Sequence, residues 1–315
     1  MSVQYLTNID PDAKVAIIRD GIVNNGVIYL SKNLSVDIPT LYIPWAIPEN
    51  FRKNEIRFEK NPLPMIKHSY NADVLYIFDT WGTSSYYHLL IDIIIPLWIT
   101  KQSFDRHIGL RDYSCRYFRF SNNGFQYDLS TIHEIFQYFF GKRFKDYESG
   151  TYSHIVYGYF YTHRPYNRYE FQHSSVYQTE LNDFIKTFRL TSNERYILVA
   201  KRTTRNYTGM DELVNLLSEI YPVKYIDFST LSIRQQIETC AGAHVLLGME
   251  GAAFANQIFL QDHSTLIALW QDKSRYSHLR FHSDLAKYAG HAFFPVQITH
   301  ETTPTSLVEQ ISCHL

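Results

Sequence analysis

A chain of 315 residues is long enough for two domains of ordinary size or one large α/β unit, and 45% hydrophobic with 16% aromatic residues is too apolar for a disordered protein. Lys plus Arg (30) nearly balances Asp plus Glu (31), so no overall field draws the protein to nucleic acid or to an anionic membrane. Cys115, Cys240 and Cys313 lie far apart without CxxC spacing, a pattern that favours neither a zinc site nor a disulfide framework and fits a reducing compartment.

In chain order, the first elements are short β-rich runs, VAIIRD, GVIYLSK and TLYIPWAIP, punctuated by turn residues between about 14 and 60. ADVLYIFD (72–79) reads as a strand covered on both faces. TSSYYHLLIDIIIPLWITKQ begins with residues that cap helices and continues with apolar residues at helical spacing. Its apolar core is too short to span a bilayer and carries Asp92 and Pro96. The N-terminal stretch MSVQYLTNIDPDAKVAIIRD lacks the apolar run of a signal peptide, so the expected location is cytoplasmic, with no membrane span. From about 108 to 130 the pattern breaks up. STIHEIFQYFFGKRF then reads as helix, HIVYGYFY (154–161) as strand and HRPYNRYEFQHSSVY as loop.

The second half is more regular. RYILVAKR, VKYIDFS, HVLLGM and STLIALW read as strands, and MDELVNLLSEIYP, SIRQQIETCAGA and GAAFANQIFL as the helices between them. Strands alternating with helices of about ten residues indicate βαβ units and a doubly wound parallel sheet. The helix LNDFIKTFRL gives way to the polar TSNER, which sets a domain boundary near 190: 1–190 and 191–315, with the last helix able to pack back on the first domain.

In such sheets ligands sit at the carboxyl ends of the strands, where helix N-termini expose unpaired N–H groups. Gly248 and Gly251 stand at one such end, where glycine permits close backbone approach to a phosphate, and Ala252, Ala253 and Ala255 allow tight packing of the following helix. Glu250 between them would repel a bare phosphate and suits a hydroxyl as partner. Lys201, Arg202 and Arg205, after the strand RYILVA, supply positive charge at the same edge of the sheet. In the first half, His88 and Asp92 are four apart on a helix and share a face, so the acid can orient the imidazole and stabilise its cation. Asp79, closing ADVLYIFD, is an alternative base or a helix cap. Asp10 and Asp12 form a DxD that reads as a turn, and His278 and His282 have i, i+4 spacing on what reads as a surface helix without a third ligand. Tyr166, Arg168, Tyr169 and His173 lie in a Tyr-rich loop that could face an acceptor sugar or simply pack.

The order LVAKRTTRN, FSTLSIRQQIETCAGAHVLLGMEGAAFANQIFL, STLIALW and DLAKYAG resembles the C-terminal half of glycosyltransferase family 61, and SSYYHLLIDIIIPLW resembles that family's Tyr-His segment. The family includes plant β-1,2-xylosyltransferases, xylan arabinosyl- and xylosyltransferases and protein O-GlcNAc transferases. The resemblance implies an α/β protein of GT-B type, two Rossmann-like domains facing across a cleft. It implies an inverting glycosyltransferase that moves xylose or GlcNAc from a UDP-sugar donor to a hydroxyl of a glycan acceptor. No cofactor or metal is then required, because arginines and helix dipoles can neutralise the leaving diphosphate. Carried over by position, Arg202 and Arg205 meet the diphosphate, Gln236 supports the nucleotide side, and Gly251, Ala252 and Asn256 form the phosphate-facing turn. This chain departs from the pattern twice: Glu250 stands where most members have His, and Ala268 where many have an acid. A sugar-nucleotide epimerase on the same architecture, or a non-catalytic glycan- or nucleotide-binding relative, is the alternative. Bacterial or viral glycan assembly suits a member without an anchor.

Overall fold

Val, Ile and Leu runs too short for helices, each followed by a segment of helical period, leave a chain little choice but to stack strands side by side and cover them with helices. A computed structural model has this organisation. It describes residues 3–5, 14–24, 27–29, 57–59, 69–78, 86–108, 114–119, 129–141, 145, 150–159, 175–202, 207–271 and 276–315. The chain divides into two compact units, Met1–Leu181 and Asn182–Leu315.

The first unit holds a seven-stranded mixed sheet in the order β4 (Arg57–Glu59), β3 (Val27–Tyr29), β2 (Lys14–Asn24), β7 (Gly150–Tyr159), β5 (Ser69–Phe78), β6 (Ser114–Arg119). β1 (Val3–Tyr5) and β3 share one edge of the long β2, at opposite ends of it. A wholly parallel Rossmann-like sheet is therefore not what this unit contains. β2 runs antiparallel to β1, β3 and β7, and Asn24 pairs with Val27. β6, β5 and β7 form a parallel set in which β5 is central, and at the other edge β3 pairs parallel with β4. β6 escapes sequence reading because SCRYFR carries two arginines, which an edge strand tolerates.

Between β5 and β6 the chain forms α1 (Tyr86–His88), a π-helical stretch (Leu89–Ile94) and α2 (Ile95–Ile108). The Ile95 N–H reaches back five residues to the Leu90 carbonyl. This widening falls just ahead of Pro96, which has no N–H to give the Asp92 carbonyl and whose ring crowds it. Leu89, Leu90, Ile91, Ile93, Ile94 and Ile95 are all buried, so the segment is a core helix rather than an amphipathic surface one. Tyr76 of β5 meets Phe104 of α2 edge to face, with ring centroids 6.0 Å apart. α3 (Leu129–Phe140) leads to β7, and α4 (Ser175–Phe188) carries the chain across the division between the units.

The second unit is a five-stranded, fully parallel sheet, ordered β12 (Ala292–Gln297), β11 (Thr265–Trp270), β10 (Ala243–Met249), β8 (Tyr196–Ala200), β9 (Val223–Ile226). Counted along the chain this is the order 2-1-3-4-5, which reverses direction between β8 and β10. α5 (Met210–Ser218) and α8 (Pro304–Ser312) pack together on one face, where Leu213, Leu217, Leu307 and Ile311 join Ile197, Val199, Val245, Leu247 and Ile267 in one core. A 3-10 helix (Ala252–Phe259) packs against both α6 (Ile233–Ala241) and α7 (Tyr276–Ala289). The last helix, which the sequence left free to pack on the first domain, thus lies on α5. Reciprocal capping boxes start α6 (Ser232 with Gln235) and α8 (Thr303 with Ser306, Pro304 in the first turn).

The segment GAAFANQIFL forms a 3-10 helix rather than the α-helix its pattern suggests, with Phe254 N–H bonded to the Gly251 carbonyl and Leu260 N–H to the Gln257 carbonyl. Six consecutive residues, Phe254 to Phe259, are buried between flanking helices, and that surround sets a winding that local sequence does not. Among the described residues Cys240 and Cys313 are free thiols, and no helix is long and apolar enough to cross a membrane.

Candidate functional site

A parallel sheet that reverses direction leaves a crevice beyond the carboxyl ends of the two strands at the reversal, because the helices leaving them go to opposite faces. Here those ends are Ala200 and Met249, and the residues just past them are Lys201, Arg202, Glu250 and Gly251. The ladder continues one step beyond β10, since Glu250 N–H donates to the Leu269 carbonyl at 2.8 Å. Across the last paired positions runs a row of small residues, Ala200, Gly248 and Ala268. A Cβ at Gly248 would lie 3.1 Å from both the Cβ and the carbonyl oxygen of Ala200, tighter than ordinary contact.

Glu250 is only 5% exposed. Gly251 has φ 151° and ψ −162°, a backbone region open essentially to glycine alone. The Arg202 guanidinium donates from Nη1 to the Glu250 carbonyl and fills the space where a side chain at 251 would stand, with Cζ 2.7 Å and Nη2 3.0 Å from the position of that missing Cβ. Ala252 opens the 3-10 helix, whose first turn has no side-chain cap. N–H groups there, together with the arginine charge, give the crevice a positive character.

Strand alternation separates residues that the sequence placed in one basic cluster. Lys201 is exposed, its backbone N–H bonds the Ile226 carbonyl, and its ammonium lies 5.3 Å from the Tyr225 ring centroid. Tyr225 packs on the core beneath α5 and α8, so Lys201 points to that side while Arg202 turns toward Gly251. The Tyr225 phenol is pushed up to about 12 by burial and then by the charge of Asp211. Arg205 lies outside the described residues.

Gln236 and Asn256 are brought together, but by each other. Asn256, fully buried, donates from Nδ2 to Gln236 Oε1 at 3.0 Å, and Gln236 Nε2 donates to the Leu231 carbonyl at 3.1 Å. The bridge ties the 3-10 helix to the start of α6. Ala200, the small partner of Gly248, and Leu231, whose carbonyl anchors the bridge, were not singled out in the sequence; strand register reveals the first and the Gln236 side-chain hydrogen bond the second.

In the first unit His88 ends α1, half-buried, with its ring edge-on to Tyr87 at 5.8 Å between centroids. It stands in the helix that follows β5, the central strand of the parallel set, at the equivalent of the position where α5 follows β8. Asp92 lies within the π-helical stretch, and its side chain, like the whole of Asp79, Asp10, Asp12, Tyr166, Arg168, Tyr169 and His173, lies outside the described residues, as does the His278 side chain. His282 corrects the surface-helix reading: it is buried, its ring 5.3 Å from that of Phe254, a long-range contact that i, i+4 spacing cannot disclose. Among the described residues no group of three His, Cys, Asp or Glu is arranged to hold a metal ion.

The sequence profile of a family described as Glycosyltransferase 61 matches residues 86–267, more than half of the chain and including both His88 and the turn at Glu250. No curated protein matches the chain.

Proposed function

Because the chain belongs to glycosyltransferase family 61, we propose that it is an inverting, GT-B-type enzyme that transfers a sugar, xylose or GlcNAc, from a UDP-sugar to a hydroxyl of a glycan. The observation that carries this reading is the crevice at the β8/β10 reversal, with an arginine, a glycine-only turn and an uncapped helix start converging on it. Arg202, with Arg205, balances the diphosphate as it leaves, a charge that oriented donors stabilise without reorganising. The Glu250 carboxylate, an acceptor only, takes a hydrogen bond from a donor hydroxyl. Gln236 and Asn256 act indirectly by holding the 3-10 helix that presents the turn.

In the first unit His88 takes the proton of the acceptor hydroxyl as its oxygen forms a bond to the anomeric carbon. The bond from that carbon to the diphosphate oxygen breaks on the opposite face, which inverts the centre and releases UDP. Asp92 orients and stabilises the imidazolium, with Asp79 as the other carboxylate available for the base role. Arginines and backbone dipoles serve the leaving group in this scheme, so no cofactor or metal enters it.

Titration with UDP, UDP-xylose, UDP-GlcNAc and other nucleotide-sugars, read as Tm and as release of free UDP, tests the proposal. Binding at a hundredfold excess over Kd stabilises by about 2.7 kcal/mol, easily visible as a rise in Tm. If no uridine nucleotide shifts Tm or is consumed while another nucleotide-sugar does both, the donor assignment is wrong.

A further inference from the structure

We infer that Arg202 is a positioning residue for the turn after β10: its guanidinium takes the place of a side chain at Gly251 and holds the Glu250 carbonyl, so that Arg202 and Gly251 form one clamp. Three observations converge on it. Arg202 Nη1 donates to the Glu250 carbonyl. The guanidinium sits within the volume of the missing Cβ of Gly251. Gly251 itself adopts φ 151° and ψ −162°, a conformation that would drift to an ordinary one in most loops and that needs its surroundings to fix it.

Those surroundings are visible on either side of the peptide. Glu250 N–H is tied to the Leu269 carbonyl, and Gly251 accepts from Phe254 N–H. The Glu250 carbonyl is the remaining handle, and Arg202 holds it. An arginine suits this task better than a lysine because its planar fork carries five N–H donors in fixed geometry, so the group that fills the flat space beside Gly251 also holds the carbonyl. A lysine ammonium is a point charge on a flexible stem and cannot fill the flat space beside Gly251. The clamp thereby fixes the backbone that carries the buried Glu250 carboxylate, which is how a residue reaching the turn from another strand acts on it.

The test is a thermal double-mutant cycle of Arg202→Ala, Gly251→Ala and the double variant, joined to UDP titration of Arg202→Lys and Arg202→Met. Gly251→Ala displaces the guanidinium and strains the backbone, whereas in the Arg202→Ala background only the strain remains. The double variant should lose about 6–12 °C less than the sum of the singles, the scale of one charged hydrogen bond at about 4 °C per kcal/mol. Effects that add to within about 1 °C overturn the clamp. The nucleotide arm rests on the donor reading. Arg202→Lys, which keeps the charge, should weaken UDP binding about tenfold or more and behave like Arg202→Met, because the fork is what is lost. Should Lys keep affinity within about twofold of the parent, charge alone suffices and the clamp is refuted. If the unmutated protein binds no UDP, the donor reading fails on its own and the thermal cycle still decides the clamp. Arg202 is half-buried, so its variants fold even if Gly251→Ala does not.

Discussion

Replacing Asn256 by alanine tests how the 3-10 helix is held beneath the crevice. Its Nδ2 is the donor to Gln236 Oε1, while the other end of the Gln236 amide is engaged by Leu231. Asn256→Ala therefore strands a carbonyl oxygen on a residue only 7% exposed, with water largely excluded from taking the donor's place. Leaving such a group unsatisfied costs about 1–3 kcal/mol. At about 4 °C per kcal/mol for a domain of this size, Tm should fall by roughly 4–12 °C. Gln236→Ala should cost a similar amount, and the double variant should be close to the worse single, since both lesions break one bridge. Calorimetry of the four proteins gives the coupling directly, and UDP titration of the same set should show weakened binding as the turn loses its support. A fall below about 1 °C for Asn256→Ala, or strictly additive effects, would refute the bridge as the tie between the 3-10 helix and α6.

His88→Ala should leave UDP-sugar binding intact and reduce transfer by about two to four orders of magnitude, with Asp92→Asn falling less; a dead Asp79→Asn beside an active His88→Ala would move the base to the strand end. Glu250→Gln should keep the fold and lose donor affinity, because an amide replaces only part of a carboxylate's accepting capacity; equal Kd and turnover would leave the turn without a role for its charge. His291 is held down to about 4 by burial, then by Arg189, with its Nε2–H donated to the Gln257 carbonyl at 2.9 Å. Its folded value lies below the ordinary one near 6.5, so this contribution is complete above about pH 6.5 and is lost as pH falls toward 4, an effect of about 3 kcal/mol. A Tm series from pH 8 to 4 should accordingly fall less steeply in His291→Gln, and parallel curves for the two proteins would count against it. Finally, Ala268→Asp combined with Glu250→His should bind UDP better than Glu250→His alone in side-by-side titrations, and no difference would dissociate the two positions.

Most of the second unit was legible because its central strands are apolar runs separated by segments of helical period, and Ser232 with Gln235 marks a helix start as plainly in sequence as in space. What escaped was set by contacts distant in the chain. The 3-10 winding after Gly251 depends on burial between α6 and α7, and His282 is buried by Phe254, 28 positions away in sequence. The π-helical stretch follows from Pro96, legible as a breaker but not as a widened turn. Lys201 and Arg202 look like one basic cluster in a string of letters. The alternation of β8, carried one step past its end by the Lys201 N–H to Ile226 carbonyl bond, turns them to opposite sides, and that is visible only once the strand's end is placed.

The same alternation relates positions 250 and 268, the two at which the resemblance has this chain depart from the family's pattern. Gly248 pairs with Ala268 across β10 and β11, and the ladder runs on through Glu250 N–H to the Leu269 carbonyl. Positions 250 and 268 therefore fall on one face of neighbouring strands, two residues out of step. Ala268 is fully buried in the row of small residues, so it leaves volume on this face where a larger acidic side chain would have projected. A glutamate is the longer of the two acids, and placed at 250 it offers a carboxylate to the face that loses one at 268. Under the proposed function, one carboxylate at 250 serves where the resemblance implies an imidazole and an acid, with Arg202 fixing the backbone that bears it. In the proposed function, the lone acid in a turn otherwise built from glycine and alanine is the group that meets a donor hydroxyl, and the Glu250→Gln titration is its direct test.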